Sequence, residues 1–184
     1  TIWSWLNRRR YYKSNSSYLK ETKKMENFLE KEPVKKVNNF IKQFDSSLEI
    51  TVLDKTARTA KDAATALNCE IGAIVKSLVL RAENSFLICL VAGDKRCSLN
   101  KLKKLIGKKD VCMADAEQVK SQTGFSIGGV APVAHLNKLE VLIDNSLGRF
   151  KDVFSAAGHP NCIFKIGYSQ LIKITNGSEK EISE

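Results

Sequence analysis

Two apolar runs of strand length, Val75–Arg81 and Phe86–Ala92, follow one another through the polar link Glu83-Asn84-Ser85. Runs this short and this rich in Val, Ile, Leu and Phe read as strands, and so short a link favours an antiparallel pair. The chain is thereby committed to a sheet. One residue disturbs the pattern. In Ile74-Val75-Lys76-Ser77-Leu78-Val79-Leu80, alternation sets Lys76 on the face of Leu78 and Leu80. An ammonium on an apolar face is expensive unless it reaches water or an acceptor. Two readings stay open: a lysine that snorkels at the start of its strand, or a functional group held in place by the sheet.

The rest of the chain supplies helices and further strands. Pro33 suits a first helical position, and Val34, Val37, Phe40, Ile41 and Phe44 recur behind it at helical spacing. Leu48–Leu53 predicts a short strand. Thr59 and Asp62 predict a helix start, with Ala60, Ala63, Ala64 and Leu67 as its small apolar face. Ser98 predicts the cap of a helix whose Leu99, Leu102, Leu105 and Ile106 face inward. Val111–Ala114 reads as a strand, and Asp115 with Gln118 opens another short helix. Leu139–Asp144 and Cys162–Ile166 read as strands and Ser169–Ile174 as a last helical segment. The expected fold is α+β: a single domain over residues 33–175 with a mainly antiparallel mixed β-sheet flanked by helices. A polar tail, 176–184, follows it.

Charge points to polyanions. Thirty Lys and Arg against twenty Asp and Glu give +10, a field that concentrates nucleic acid around the protein. Residues 1–32 hold eight basic and four acidic groups of that total, so the N-terminal segment does not explain the excess. That segment reads as a basic, poorly ordered extension, with Met25 a candidate natural start; an arm for RNA or a membrane surface is the alternative. Its apolar part precedes the arginines, the wrong order for a signal peptide. No apolar run approaches the ~18 residues of a membrane span, and no membrane partner is expected. The five cysteines are odd in number and form no CxxC pair, which argues against a disulfide framework or thiolate zinc site and fits a reducing cytoplasm.

Familiar catalytic signatures are missing: no Walker loop, GxGxxG, HExxH or GxSxG is present. Two short segments remain. Gly124-Phe125-Ser126-Ile127-Gly128-Gly129-Val130-Ala131-Pro132 has adjacent glycines that open its main-chain N–H groups to a ligand, and a proline that stiffens its exit. Ala156-Ala157-Gly158-His159-Pro160 sets a histidine on a tight turn. Each is also compatible with a purely structural turn.

Taken together, these residues resemble the YbaK family of aminoacyl-tRNA editing domains, especially the free-standing prolyl-tRNA editing proteins, from about Val52 to Thr175. The resemblance rests on RTAKDAA (58–64), IVKSLV around Lys76, TGFSIGGVAP (123–132), VLID (141–144) and AAGHPNCIF (156–164). It implies a trans-editing hydrolase that deacylates mischarged aminoacyl-tRNA, with the acceptor stem of tRNA(Pro) carrying alanine, cysteine or 2-aminobutyrate as the expected substrate. It also implies prolyl-tRNA synthetase as an associate, and no metal or cofactor. Carried over by residue, Lys76 is the functional lysine of the editing pocket, and Gly128 and Pro132 are the fixed ends of the G-x-x-x-P loop. The amides of Gly128 and Gly129 are then expected to meet the developing oxyanion. Ile127, Val130, Ala131, Pro132, Ala157, Gly158 and His159 are expected to line the substrate site, with Ile127, Ala131 and Ala157 as candidates for the specificity wall. Lys101, Lys104 and Lys108 share one helix face and are expected to track tRNA phosphates, unless they form an ordinary solvated face. A tRNA-binding module with a dead pocket and a hydrolase of another small acyl ester stay open as alternatives.

Overall fold

Strands β2 (Ile74–Ala82) and β3 (Ser85–Ala92) pair antiparallel from Val75↔Ala92 to Ala82↔Ser85, leaving Glu83 and Asn84 as the turn. The computed structural model describes residues 19–20, 22–54, 57 and 59–184; most of the N-terminal extension lies outside them. Its last part, residues 22–29, is helical (α1). Then follow α2 (Glu32–Phe44), β1 (Ile50–Val52), α3 (Ala60–Leu67), the β2–β3 hairpin, α4 (Leu99–Ile106), β4 (Val111–Met113) and α5 (Ala116–Thr123). The chain closes with β5 (Glu140–Asp144), β6 (Asp152–Ala156), β7 (Cys162–Gly167), α6 (Tyr168–Thr175) and β8 (Ser178–Lys180).

The strands form one mixed sheet in the order β1-β7-β6-β2-β3-β5-β8, with β4 added to β2. The β1–β7, β6–β7, β2–β3 and β2–β4 pairs are antiparallel, and β2–β6, β3–β5 and β5–β8 are parallel. The expected α+β domain with a mainly antiparallel mixed sheet is thus what the chain forms. One face lies under α2, α5 and α6, whose Val34, Ile41, Val119 and Leu171, with Phe125 just past α5, pack on Val75, Val79, Ile88 and Leu90. The opposite face is covered in two separate patches. Ala63 and Ala64 of α3 pack over Ile74 and Ile163, while Leu102 of α4 packs over Leu80, Cys89 and Val91. Each fully buried Leu or Ile contributes roughly 1.5–3 kcal/mol.

The helix starts follow the sequence closely. Thr59 and Asp62 exchange hydrogen bonds of 3.1 Å each, a complete capping box on α3, and Asp115 with Gln118 does the same for α5 at 2.8 and 3.0 Å. Ser98 does occupy the N-cap of α4, but its hydroxyl makes no cap bond. Its amide instead donates to Ile182 O at 2.7 Å. The inward faces are narrower than spacing suggested. Phe40, Phe44 and Leu105 are exposed: Phe40 and Leu105 sit at the edges of their helix stripes, and Phe44 is the last residue of α2.

Residues 176–184 are polar in sequence yet belong to the sheet. β8 pairs with β5, and Ile182 is fully buried. The buried Asp144 carboxylate accepts from the Ile182 amide (3.0 Å), the Ser183 amide (2.9 Å) and the Ser183 hydroxyl (2.8 Å). Burial alone would raise that carboxyl, but the hydrogen bonds from Ser146, Ile182 and Ser183 outweigh it and hold Asp144 below its usual range. Backbone groups make most of these contacts, so side-chain polarity gives no warning of them. β6 was also unread in sequence: Asp152-Val153-Phe154-Ser155-Ala156 has a weak strand signature and becomes a strand by pairing with β7 and β2. No described helix is long and apolar enough to cross a membrane.

Candidate active site

Lys76 lies where the covering layer parts. On its face of β2, Ile74 belongs to the patch under α3, and Leu78 and Leu80 to the patch under α4. The lysine between them opens on a cleft of about 310 Å³. The backbone parts there as well. β2 bonds β6 only at Ile74–Val75 and β4 only from Leu80, and between them Ala114 N donates to Val79 O. Alternate residues of a strand turn their N–H and C=O to the same side. The main chain of Ser77, two before Val79, therefore faces this gap. The Ser77 hydroxyl is buried without a hydrogen-bond partner.

The cleft is apolar at its base and polar along one edge. Ala60, Ala63, Ile74, Phe154 and Ile163 line the base, Lys76 and Ser77 one edge, and Ile127, Gly128, Val130 and Pro160 the rim. The Lys76 ammonium donates to the Lys95 carbonyl. Burial pushes its pKa below that of an ordinary lysine; Asp94 offsets part of this, and Arg96 adds to it. Asp94 is itself held by Arg149 in a two-point ion pair at 2.7 and 2.9 Å. The segment carrying Lys95 is braced by the C-terminal residues, through Arg96 N to Glu184 O (3.1 Å) and Glu184 N to Arg96 O (2.9 Å). The polar tail thus sets the acceptor that holds Lys76.

The loop 126–132 begins with a tight turn in which Gly129 N donates to Ser126 O at 3.0 Å. Gly128, the third residue of the turn, has φ +88°, as a type II turn requires. This corrects one expectation. The Gly129 amide is spent within the loop and is not free for an oxyanion. Gly128 lines the cleft, and its amide donates to no protein acceptor among the described residues. The use of Gly129 is steric: a Cβ there would stand 2.9 Å from the backbone of His159, so the loop and the 157–160 turn touch main chain to main chain.

The other expected site residues divide between cleft and core. Ile127 and Val130 line the cleft, with Ile127 61% exposed at its mouth. Ala131 and Ala157 are fully buried in the core beneath α2 and α5, so of the three wall candidates only Ile127 reaches the cleft. Pro132 is buried too. Gly158 has φ +90° and packs against Pro33 of α2. His159 lies beside the rim, its ring 4.7 Å from Phe28, and its Nδ1 accepts from Asn161 N at 3.1 Å. Burial, and then the charge of Lys31, holds its pKa below the usual histidine value. Of the lysines on α4, Lys101 is bound to Glu181 (2.6 Å) and the Ser183 carbonyl (2.8 Å), and Lys108 to Glu83 (2.9 Å). Lys104 has no carboxylate within 4 Å among the described residues.

His135, with no role in the sequence reading, positions the loop. Its Nε2 lies 2.7 Å from Ala131 O, inside the G-x-x-x-P segment, and its ring packs edge-on against Phe125. Burial lowers its pKa, so the neutral ring donates from Nε2. The four-residue spacing from Ala131 was the available signal. Replacing His135 by Phe keeps the ring and removes the donor; urea unfolding should show a loss of about 1–3 kcal/mol, the cost of leaving a buried carbonyl unpaired.

The geometry can be set beside known proteins. The sequence profile described as the aminoacyl-tRNA editing domain matches residues 54–174. The uncharacterized protein YwhH of Bacillus subtilis is 32% identical over 139 residues, covering 75% of this chain and 88% of YwhH. The proline–tRNA ligase of Thermosipho africanus is 34% identical over 101 residues, 55% of this chain, but the chain spans only 18% of that ligase. A solved structure described as a candidate trans-editing enzyme for prolyl-tRNA synthetase superposes with a TM-score of 0.79 at 33% identity, covering 84% of this chain and 98% of that one. With the lysine-edged cleft and the glycine loop both falling within residues 54–174, the chain belongs to the aminoacyl-tRNA editing domain family.

Proposed function

We propose that the protein is an aminoacyl-tRNA deacylase that acts in trans, removing a small wrong amino acid from tRNA(Pro) in the cytoplasm. The observation that carries this reading is a half-buried ammonium, Lys76, at the edge of a small apolar cleft whose rim offers an unpartnered amide at Gly128. An aminoacyl ester is already activated, so positioning and charge stabilisation matter more than a strong nucleophile. Water adds to the ester carbonyl and the Gly128 amide meets the oxygen that becomes negative. The bond to the terminal ribose oxygen then breaks, and that oxygen leaves with a proton as the hydroxyl. Lys76 holds the polar terminal groups of the substrate at the cleft edge while the amino-acid side chain enters between Ala60, Ala63, Ile74, Phe154 and Ile163.

An apolar base of this kind suits a methyl, ethyl or thiol group, and rejection of proline would rest on the shape of its ring against Ala60 and Ala63 rather than on the volume of the cleft. Binding alone separates substrates differing by one methylene by only ~10–200-fold, which is why a second, hydrolytic sieve is useful. Similarity to a segment of proline–tRNA ligases supports tRNA(Pro) as carrier and prolyl-tRNA synthetase as the partner that releases the mischarged product. The test is deacylation of tRNA(Pro) charged separately with alanine, cysteine, 2-aminobutyrate, serine and proline. Loss of a small residue with proline spared is expected. Binding of every charged tRNA without hydrolysis of any would replace the deacylase by a binding module.

A further inference from the structure

From the cleft mouth at Pro160 a trough runs away from the sheet, past Ser126 and His159, and on between the start of α2 and the end of α5. Its near part encloses about 490 Å³ and its far part about 680 Å³; both are lined by Glu32, Pro33 and Lys120. Lys31, Lys35, Lys36 and Lys120 face one carboxylate, Glu32, along this course. Lys35 is held by Glu30 at 2.7 Å, while Lys31, Lys36 and Lys120 have no carboxylate within 4 Å among the described residues. Lys120 donates to the Gly124 carbonyl at 2.9 Å. An exposed apolar side chain stands at each end, Ile127 on the cleft rim where the trough begins and Leu136, 60% exposed, in its far part.

Cations spaced along a groove that begins and ends at an exposed apolar side chain suit a single-stranded nucleic acid, which offers both phosphates and base faces. The α4 face offers less, since two of the three lysines there are already paired with carboxylates at the surface. We infer that this trough is the path of the tRNA 3′ end as it leaves the editing cleft, with Lys31, Lys120 and Lys36 on its phosphates. The assignment rests on the deacylase reading, because it is the cleft that fixes where the 3′ terminus lies.

Each single-strand phosphate contact contributes about 0.7 to the slope of log affinity against log salt, so three contribute about 2, or roughly 100-fold in affinity between 1 M and 0.1 M salt. The experiment measures binding of uncharged tRNA(Pro) across that range for wild type and for the combined Lys31→Gln, Lys36→Gln, Lys120→Gln variant. The slope should flatten by about 2. In parallel, kcat/KM on charged tRNA should fall by a similar factor relative to kcat/KM on a 3′-aminoacyl-adenosine, which carries no phosphate. Where removing the Lys120–Gly124 bond lowers the thermal midpoint, the Lys31→Gln, Lys36→Gln pair replaces it, with about two-thirds of the slope change expected. The same substitutions at Lys101, Lys104 and Lys108 give the comparison. A flattened slope there, with the trough variant binding like wild type, overturns the assignment. A wild-type protein that cleaves neither charged tRNA nor the adenosine ester overturns the deacylase reading instead, and the salt series still reports where RNA binds.

Discussion

Lys76→Met should lower kcat/KM for deacylation by about 10²-fold, the usual effect of losing a group that positions the reacting ester, and leave the thermal midpoint at or above that of wild type. Both halves follow from the same burial. The ammonium is held at the edge of an apolar cleft, donating to the Lys95 carbonyl, and its pKa is depressed first by burial. A lysine in this state weakens the fold at neutral pH. Between its lowered pKa and the ordinary value of 10.5, the unfolded chain binds a proton that the folded chain has lost, so stability rises with pH through that window. Below it the full penalty applies. Methionine keeps the stem's packing and removes the penalty, and Lys95 O, on a half-buried residue, can turn to water. Deacylation by the wild type should accordingly decline on the alkaline side at a lower pH than an unperturbed lysine would give. Circular dichroism melting and single-turnover deacylation check the two halves separately. A variant that loses activity and melts well below wild type would make Lys76 a structural residue.

Gly158→Ala should destabilise the protein by about 2–6 kcal/mol, the sum of ~1–3 for a positive φ and ~1–3 for a side chain forced into occupied space. Gly158 has φ +90°, and a Cβ there would fall 2.6 Å from Pro33 O and 2.8 Å from Pro33 C. Neither neighbour is a flexible side chain; both belong to the first turn of α2, so the helix or the turn must move. Because the same turn carries His159 and Pro160 to the cleft rim, the surviving folded protein should also edit poorly. Gly107→Ala is the matched control. Its φ is +67° with nothing within 4 Å of the added Cβ, and it should cost only about 1–2 kcal/mol. Equal losses for the two variants in urea unfolding would show that conformation alone, rather than the contact with α2, sets the need for glycine.

Most of the fold was legible because its signals are local. The hairpin follows from two apolar runs and a short link, and the starts of α3 and α5 from Thr59/Asp62 and Asp115/Gln118. The oddity of Lys76 follows from strict alternation within one strand. What stayed hidden was decided between segments distant in sequence. β6 and β8 carry weak strand patterns and exist by virtue of their partners. The same holds for the wall of the cleft: Ala131 and Ala157 are close to the loop motifs in sequence but turn into the core, while Ala60, Phe154 and Ile163 reach the cleft from three other elements.

The sequence by itself determined a mixed sheet with helices on it, the placement of one lysine on an apolar strand face, and a glycine turn able to present main-chain amides, since propensity, period and capping act over a few residues. Only the tertiary structure decided that α3 and α4 part over that lysine, that the Gly129 amide is spent while that of Gly128 is not, and that the last residue of a polar C-terminal tail braces the segment whose carbonyl holds Lys76. Those outcomes depend on which backbone groups meet across the fold, and hydrogen bonds between main-chain atoms leave almost no trace in side-chain sequence.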